Sequence, residues 1–169
     1  MIERSKPRAS ESTNSLVIRQ SDSATDIAHA RELFLEYAQS LGFSLCFQDF
    51  DAELKTLPGK YAAPSGRLLL AEYDGKLAGC GAFRPVDEAI CEMKRLYVRS
   101  TFRGKGLGRK LADELIRQAR SIGYERMRLD TVEPVMQSAV AMYRVMGFRE
   151  IAPYCENPNP GTLYMELEL

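Results

Sequence analysis

Residues 103–109 read Arg-Gly-Lys-Gly-Leu-Gly-Arg. Glycines 104, 106 and 108 stand between a strand-like run and an amphipathic helical run. At such a junction a chain can offer unpaired backbone N–H groups and the positive end of a helix dipole to an anion. Glycine removes the side chains that would keep a phosphate away, and it permits positive φ. Arg103, Lys105 and Arg109 add positive charge. Three phosphate-holding designs can be set against this spacing. A triphosphate loop needs Gly-x-x-x-x-Gly-Lys-Ser/Thr, but Arg109 stands five residues after Gly104 and no Gly-Lys-Ser/Thr occurs in the chain. A dinucleotide fingerprint needs Gly-x-Gly-x-x-Gly, and here the third glycine comes one residue early. A Gln/Arg-x-x-Gly-x-Gly/Ala turn, which suits the pyrophosphate of another carrier, fits Arg103–Gly108 at every fixed position. A tight turn with a solvated basic rim would use the same residues, so the flanking elements have to decide.

The pattern on either side is informative. Ala89–Arg99 reads as a strand, and Leu107–Ile122 as a helix with Leu107, Leu111, Leu115, Ala119 and Ile122 along one face. Upstream, Ser15–Gln20 reads as a strand. A helix follows, capped by Ser21 or Asp22 and running to about Ser40, with Ile27, Ala30, Phe34, Tyr37, Ala38 and Leu41 on its apolar face. A shorter helix is expected over Gln48–Leu57. Arg67–Tyr73 and Lys76–Arg84 are strands, and Asp74-Gly75 between them is a hairpin signal. Downstream, a strand at Arg126–Val132, a helix at Gln137–Met146 closed by Gly147, and strands at Phe148–Pro153 and Thr162–Leu169 complete the chain. The order predicts an α/β chain in which three consecutive antiparallel strands feed a β-α-β crossover around the glycine turn: a mixed sheet flanked by helices. Residues 1–14 are polar and predict a loose tail, leaving 15–169 as one domain.

Bulk properties narrow the classes. The chain has 169 residues, long enough for one domain with a real core. Acidic and basic side chains balance at 23 each, so no global charge favours nucleic acid or a membrane surface as partner. Cys46, Cys80, Cys91 and Cys155 lie far apart, no CxxC occurs and His29 is the single histidine, so no metal site is expected. Without an apolar leader or a bilayer-length apolar run, the expected location is cytoplasmic, with reduced cysteines.

The segment CEMKRLYVRSTFRGKGLGRKLADELIRQARSIGYERMRLDTVEPVMQSAVAMYRVMGFREI resembles the GCN5-related N-acetyltransferase (GNAT) superfamily, and the likeness extends over roughly Leu16 to Leu169. The resemblance implies a mostly antiparallel sheet with a splayed β-α-β site for acetyl-CoA and about four helices. It implies that Arg103, Gly104, Lys105, Gly106, Leu107, Gly108 and Arg109 hold the pyrophosphate. It further implies that a bulged strand offers the backbone of Leu96, Tyr97 and Val98 to the pantetheine. The implied activity is direct transfer of acetyl from acetyl-CoA to a primary amine of a small molecule or protein, in a ternary complex and without a metal. A non-catalytic acyl-CoA sensor is the alternative; it would need the turn but not the tyrosine described next.

Such a transfer needs an unprotonated amine, a donor for the thioester oxygen and a donor for the departing thiolate. By resemblance of Ala139-x-x-x-Tyr143-x-x-x-Gly147-Phe148 to the last helix of the family, Tyr143 is the expected acid; a core aromatic would fit that position equally well. A backbone N–H freed by the bulge, at Leu96 or its neighbour, would serve the oxygen. Glu92 is the candidate base, direct or through a water, with Asp130 and Glu72 as weaker rivals; a salt-bridged strand residue is the other reading of Glu92. His29 is expected on the surface or in the core, and Cys91 is expected to be a buried thiol. Met136 stands where many relatives carry an asparagine that reaches the CoA arm. No polar contact is therefore expected from it, and Thr131 or Ser138 could substitute. Acceptor specificity should come from Phe43–Tyr61 and Tyr154–Thr162. The acids of the first segment (Asp49, Asp51, Glu53) would suit a cationic amine, while Arg84, Lys94 and Arg95 would suit one bearing a carboxylate. The alternating run Leu163–Leu169 would suit a sheet edge or a homodimer contact.

Overall fold

The computed structural model describes residues 14–169. The expected tail therefore falls, but for its last residue, outside the described residues. Seven strands form one sheet: β1 (Leu16–Gln20), β2 (Arg67–Tyr73), β3 (Lys76–Pro85), β4 (Ile90–Val98), β5 (Arg126–Val132), β6 (Arg149–Ile151) and β7 (Thr162–Glu168). Their order across the sheet is β1-β2-β3-β4-β5-β7-β6. All neighbours are antiparallel except β4 and β5, which run parallel. The crossover between those two is α3 (Leu107–Ile122), entered through the glycine turn. The fold is thus the mixed sheet with four helices that the element order predicts. The other helices are α1 (Ala24–Ser40), α2 (Phe50–Thr56) and α4 (Gln137–Val145).

Two cores sandwich the sheet. On one face α3 and α4 pack Leu111, Leu115 and Tyr143 over Leu69, Phe83, Met93 and Leu129. On the other, α1 and α2 pack Leu33, Phe34 and Phe50 over Leu68, Leu70, Cys80 and Ala82. β2 is covered on both faces, which is why Leu-Leu-Leu-Ala reads as an unbroken apolar run. β5 alternates, with Met127 and Leu129 buried beneath the α3 and α4 side and Arg128 and Asp130 only partly covered.

Several boundaries differ from the sequence expectation, each for a local reason. The cap of α1 is Ser23, not Ser21 or Asp22. Ser23 Oγ accepts from the Asp26 N–H, and Asp26 returns bonds to the N–H groups of Asp22 and Ser23, a reciprocal capping box. The short second helix is split: a 3-10 turn covers Cys46–Gln48, and Asp49 takes a left-handed conformation (φ 56°) before α2 begins at Phe50. β7 is not an edge. It lies between β5 and β6, and the three-residue β6 takes that edge of the sheet. The alternation of Leu163–Leu169 thus reflects a strand paired on both sides, and an edge-to-edge contact through it loses its basis. Among the described residues no helix is long and apolar enough to cross a membrane.

Asp26 is nearly buried and also bonds Arg19 on β1, at 2.8 Å. That guanidinium, with the capping N–H groups, holds the Asp26 carboxyl far below the usual range. Because the folded pKa is depressed, the carboxylate contributes stability above the unfolded value near 4, and that contribution fades as pH falls further. Urea unfolding midpoints measured from pH 7 down to pH 3 should therefore fall more steeply for the wild type than for Asp26→Asn, and the variant should already be less stable at pH 7.

Candidate active site

β3 and β4 are in register at Cys80 with Tyr97 and again at Ala82 with Lys94. One residue, Gly81, therefore faces two, Arg95 and Leu96: a β-bulge. Arg95 occupies the left-handed region, at φ 59°, a conformation that costs a non-glycine residue on the order of 1 kcal/mol. Its side chain is fixed in return. Arg95 is only 4% exposed, its Nε donates to Glu53 Oε2 and an Nη to Gln48 Oε1 (both 2.8 Å), and the Phe50 ring lies 5.1 Å beneath the guanidinium. The glycines of β3 make room for this. A Cβ at Gly81 would press Leu115 and Leu96, and a Cβ at Gly79 would collide with the Tyr97 carbonyl oxygen.

On its other side β4 pairs with β5 over only three positions, Ile90–Glu92 against Arg126–Arg128. Beyond them the strands splay. A cleft of about 570 Å³ opens between them, lined on one side by Met93–Val98 and on the other by Leu129–Val132. Because it interrupts the sheet, residues from both cores reach it: Tyr37 from α1, and Ala139 and Tyr143 from α4.

Tyr143 is placed by the end of its own helix. Gly147 turns left-handed (φ 99°), the Gly147 N–H bonds the Arg144 carbonyl, and the Phe148 N–H bonds the Tyr143 carbonyl. This is a Schellman motif, and the Phe148 ring packs on Tyr143 at 5.5 Å. The spacing Tyr-x-x-x-Gly-Phe is what that motif requires. The ring is buried but the phenol has no hydrogen-bond partner among the described residues, and burial raises its pKa well above the usual tyrosine value. It is therefore a protonated, unengaged donor at a cleft wall.

The glycine turn has the geometry of an anion cradle. Gly104 and Gly106 have φ 79° and 77°, and a Cβ on either would meet nothing within 4 Å. Gly106 is the N-cap of α3 and no side chain caps that end. The first-turn N–H groups at Leu107, Gly108 and Arg109 are those a capping side chain would otherwise approach. The surrounding cations are partly engaged: Arg103 Nε bonds the Val98 carbonyl at 3.1 Å, Lys105 Nζ sits 5.3 Å over the Tyr73 ring, and Arg109 pairs with Asp113. Of this turn only Arg103 belongs to the cleft wall itself; the glycines lie beside its rim.

Glu92 is placed differently from what a base in direct contact would need. It is 3% exposed and does not line the cleft; Oε1 accepts from Arg84 (Nε 3.1 Å, Nη2 3.0 Å) and Oε2 from the Tyr154 hydroxyl (2.7 Å). Its partners are thus Arg84 and Tyr154, with Lys94 at 3.8 Å, while Arg95 bonds Glu53 instead. Asp130 does line the cleft, held by Lys94 Nζ at 3.1 Å and Asn157 Nδ2 at 2.9 Å. Burial opposes its charge, but Lys94 and Asn157 outweigh that and keep the carboxyl below its usual pKa. Glu72 is far from the cleft wall, bonded to Arg19. Cys91 is a buried thiol pushed up to about 12 by burial, and His29 is half-buried on α1 with Nδ1 unpartnered among the described residues. Met136 lines the cleft and its sulfur accepts from Thr131 Oγ1, so Thr131 is engaged with the methionine.

Sequence reasoning missed the loop between β6 and β7 as a clamp. Tyr154 and Asn157 bond Glu92 and Asp130 on two different strands, Arg128 stacks on Tyr154 at 5.3 Å, and Tyr164 bonds the Cys155 carbonyl. Its only forewarning was the aromatic and amide content of a Pro-rich loop.

Residues 28–148 match the model of the acetyltransferase (GNAT) family. An uncharacterised N-acetyltransferase of Schizosaccharomyces pombe is 40% identical over 146 residues, which cover 85% of this chain and 89% of the yeast protein. Among solved structures, an acetyltransferase of Streptococcus agalactiae superposes with a TM-score of 0.73 at 22% identity, covering 91% of this chain and 98% of the other. A GNAT family acetyltransferase of Elizabethkingia anophelis with acetyl-CoA bound gives 0.66 at 23% identity, covering 91% and 98%.

The close passage at the bulge is testable by stability alone. Gly79→Ala should force the β3–β4 pair apart beside Tyr97 and cost about 1–3 kcal/mol, read as a lower urea midpoint. A variant as stable as the wild type would show that β4 is not held that closely.

Proposed function

The chain belongs to the GNAT family of acetyltransferases, and from that premise we propose that it moves an acetyl group from acetyl-CoA to a primary amine by direct attack. The observation that carries this reading is the cleft between β4 and β5, walled by a bulged strand and by the unengaged Tyr143 phenol. Acetyl-CoA is the donor that the bound Elizabethkingia protein suggests.

In this reading the turn Arg103–Arg109 receives the pyrophosphate. The open space over Gly104 and Gly106 and the uncapped start of α3 fit a diphosphate and its charge. The edge of β4 at Leu96, Tyr97 and Val98, which has no ladder partner on the β5 side, offers backbone groups to the pantetheine amides. The amine nitrogen attacks the thioester carbon, a C–N bond forms and the C–S bond breaks. The amine loses one proton to solvent and the sulfur gains one. As the oxygen gains charge, an N–H at the Arg95–Leu96 bulge donates to it in this reading. Tyr143 donates to the departing sulfur. The burial that keeps the phenol protonated also makes a thiolate beside it more basic, so the proton is shared between two groups desolvated alike.

Glu92 takes a positioning role in this scheme rather than direct contact with the amine. It anchors Tyr154, and with it the β6–β7 loop, against β4. Asp130, held as an anion by Lys94, is likewise a weak proton acceptor.

Acetyl-CoA should raise the melting temperature of the wild type. Gly106→Asp should abolish that rise, because aspartate tolerates positive φ but sets a carboxylate against the diphosphate; Gly106→Asn, of the same shape without the charge, should keep part of it. Absence of any rise with acetyl-CoA in the wild type would defeat the donor assignment. Tyr143→Phe should lower kcat by roughly a hundredfold while leaving the acetyl-CoA-induced rise in place. Unchanged kcat in that variant would remove the phenol from the reaction.

A further inference from the structure

The acceptor end of the cleft has an uneven stock of unused hydrogen-bonding capacity. Each carboxylate near it already accepts a bond on both oxygens and is paired with a cation. Asp130 accepts from Lys94 and Asn157 on its two oxygens, and Glu53 from Tyr61 and Arg95 on its two. Asp49 and Asp51, which the sequence offered as partners for a cationic amine, are exposed and stand outside the cleft wall.

The donors are not used up. Lys94 is buried, lines the cleft and gives one of its three hydrogens, to Asp130; Glu92 at 3.8 Å is beyond hydrogen-bond reach. Arg95 spends Nε and one Nη on Glu53 and Gln48. Its Nη2 is shut off from solvent and has no acceptor among the described residues. Gln48 also lines the cleft, and its amide N donates to nothing among the described residues. A buried guanidinium nitrogen without a partner is costly, and its cheapest partner is an anion with two oxygens.

From this imbalance we infer that the acceptor carries a carboxylate beside its amine, as an amino acid does, and that Arg95 and Lys94 receive that carboxylate. The inference rests on the acetyl-transfer reading above and names its substrate class. Arg95 Nη2 is already desolvated, so a carboxylate oxygen reaching it gains a charge-assisted bond without stripping water from the guanidinium. Admission needs a shift of the side chains that cover it. A polyamine would bring two or more positive charges to Lys94 and Arg95 and meet only carboxylates already paired with those cations.

The test is CoA release by the full chain with matched acceptors that differ only in the carboxylate: phenylalanine against phenethylamine, and leucine against isopentylamine, with putrescine as the cationic control. Within each pair the amino acid should have the higher kcat/KM, by roughly tenfold or more, and putrescine should be poorest. Lys94→Gln and Arg95→Gln should raise KM for the amino acid and shrink the ratio within a pair. Arg95→Gln leaves Glu53 unpaired and can fail to fold, so the wild-type panel and Lys94→Gln carry the decision. Amines used as well as their amino acids, with CoA still released, would overturn the carboxylate and leave acetyl transfer standing. Silence from every acceptor in the panel, despite a melting shift with acetyl-CoA, would overturn both.

Discussion

One extra residue in β4 organises the molecule. Because Arg95 and Leu96 together face Gly81, the strand bends where it would otherwise continue as a regular neighbour of β5. A left-handed arginine is an unfavourable place to put that residue; glycine would cost less. The compensation is in the side chain. Arg95 reaches Glu53 on α2, Gln48 on the preceding turn and the face of Phe50. The backbone that borders the cleft is thereby tied to the segment expected to choose the acceptor. A glycine would relieve the strand and lose this tie.

The remaining polar residues on that face follow the same logic. Arg84, Glu92, Lys94 and Asp130 are drawn from three adjacent strands and make two ion pairs beneath the β6–β7 loop. Buried pairs are weak stabilisers, since desolvation cancels much of their attraction. Apolar residues of similar volume could fill the space at no loss. What the pairs supply is direction: Glu92 fixes Tyr154, Asp130 fixes Asn157, and a loop containing prolines at 153, 158 and 160 is held over the cleft mouth. The loop is fastened beside the cleft by its bonds to these two carboxylates.

How much of this was legible in the chain depended on how local the signal was. The crossover helix was read to the residue, because its apolar face repeats over four turns and glycines bracket it. Tyr143 was readable for a related reason: a tyrosine, glycine and phenylalanine at fixed offsets form a helix-stop motif that also orients the ring. Ser23 was missed although Ser-x-x-Asp was present, since two nearer polar residues competed for the same cap. The place of β7 was misjudged because alternation reports which faces are covered and says nothing about which neighbour pairs. The bulge and the pairs Glu92–Arg84 and Lys94–Asp130 were beyond reading, since each joins strands whose register no local pattern sets.

Glu92 shows why register matters to chemistry. A carboxylate three residues before the bulge has the right type and the right strand to take a proton, and from the chain alone that was sufficient reason to name it. Its environment decides otherwise. Arg84 stands directly across from it in the β3–β4 ladder, so pairing of the two strands delivers a guanidinium to the carboxylate as a consequence of folding. Arg84 and the Tyr154 hydroxyl engage its two oxygens, and it stands outside the cleft wall as an anchor. In the proposed transfer the amine therefore gives up its proton without contact with Glu92. Lys94 and Arg95 are each paired with a carboxylate, Asp130 and Glu53, so the wall carries balanced rather than net positive charge at these positions.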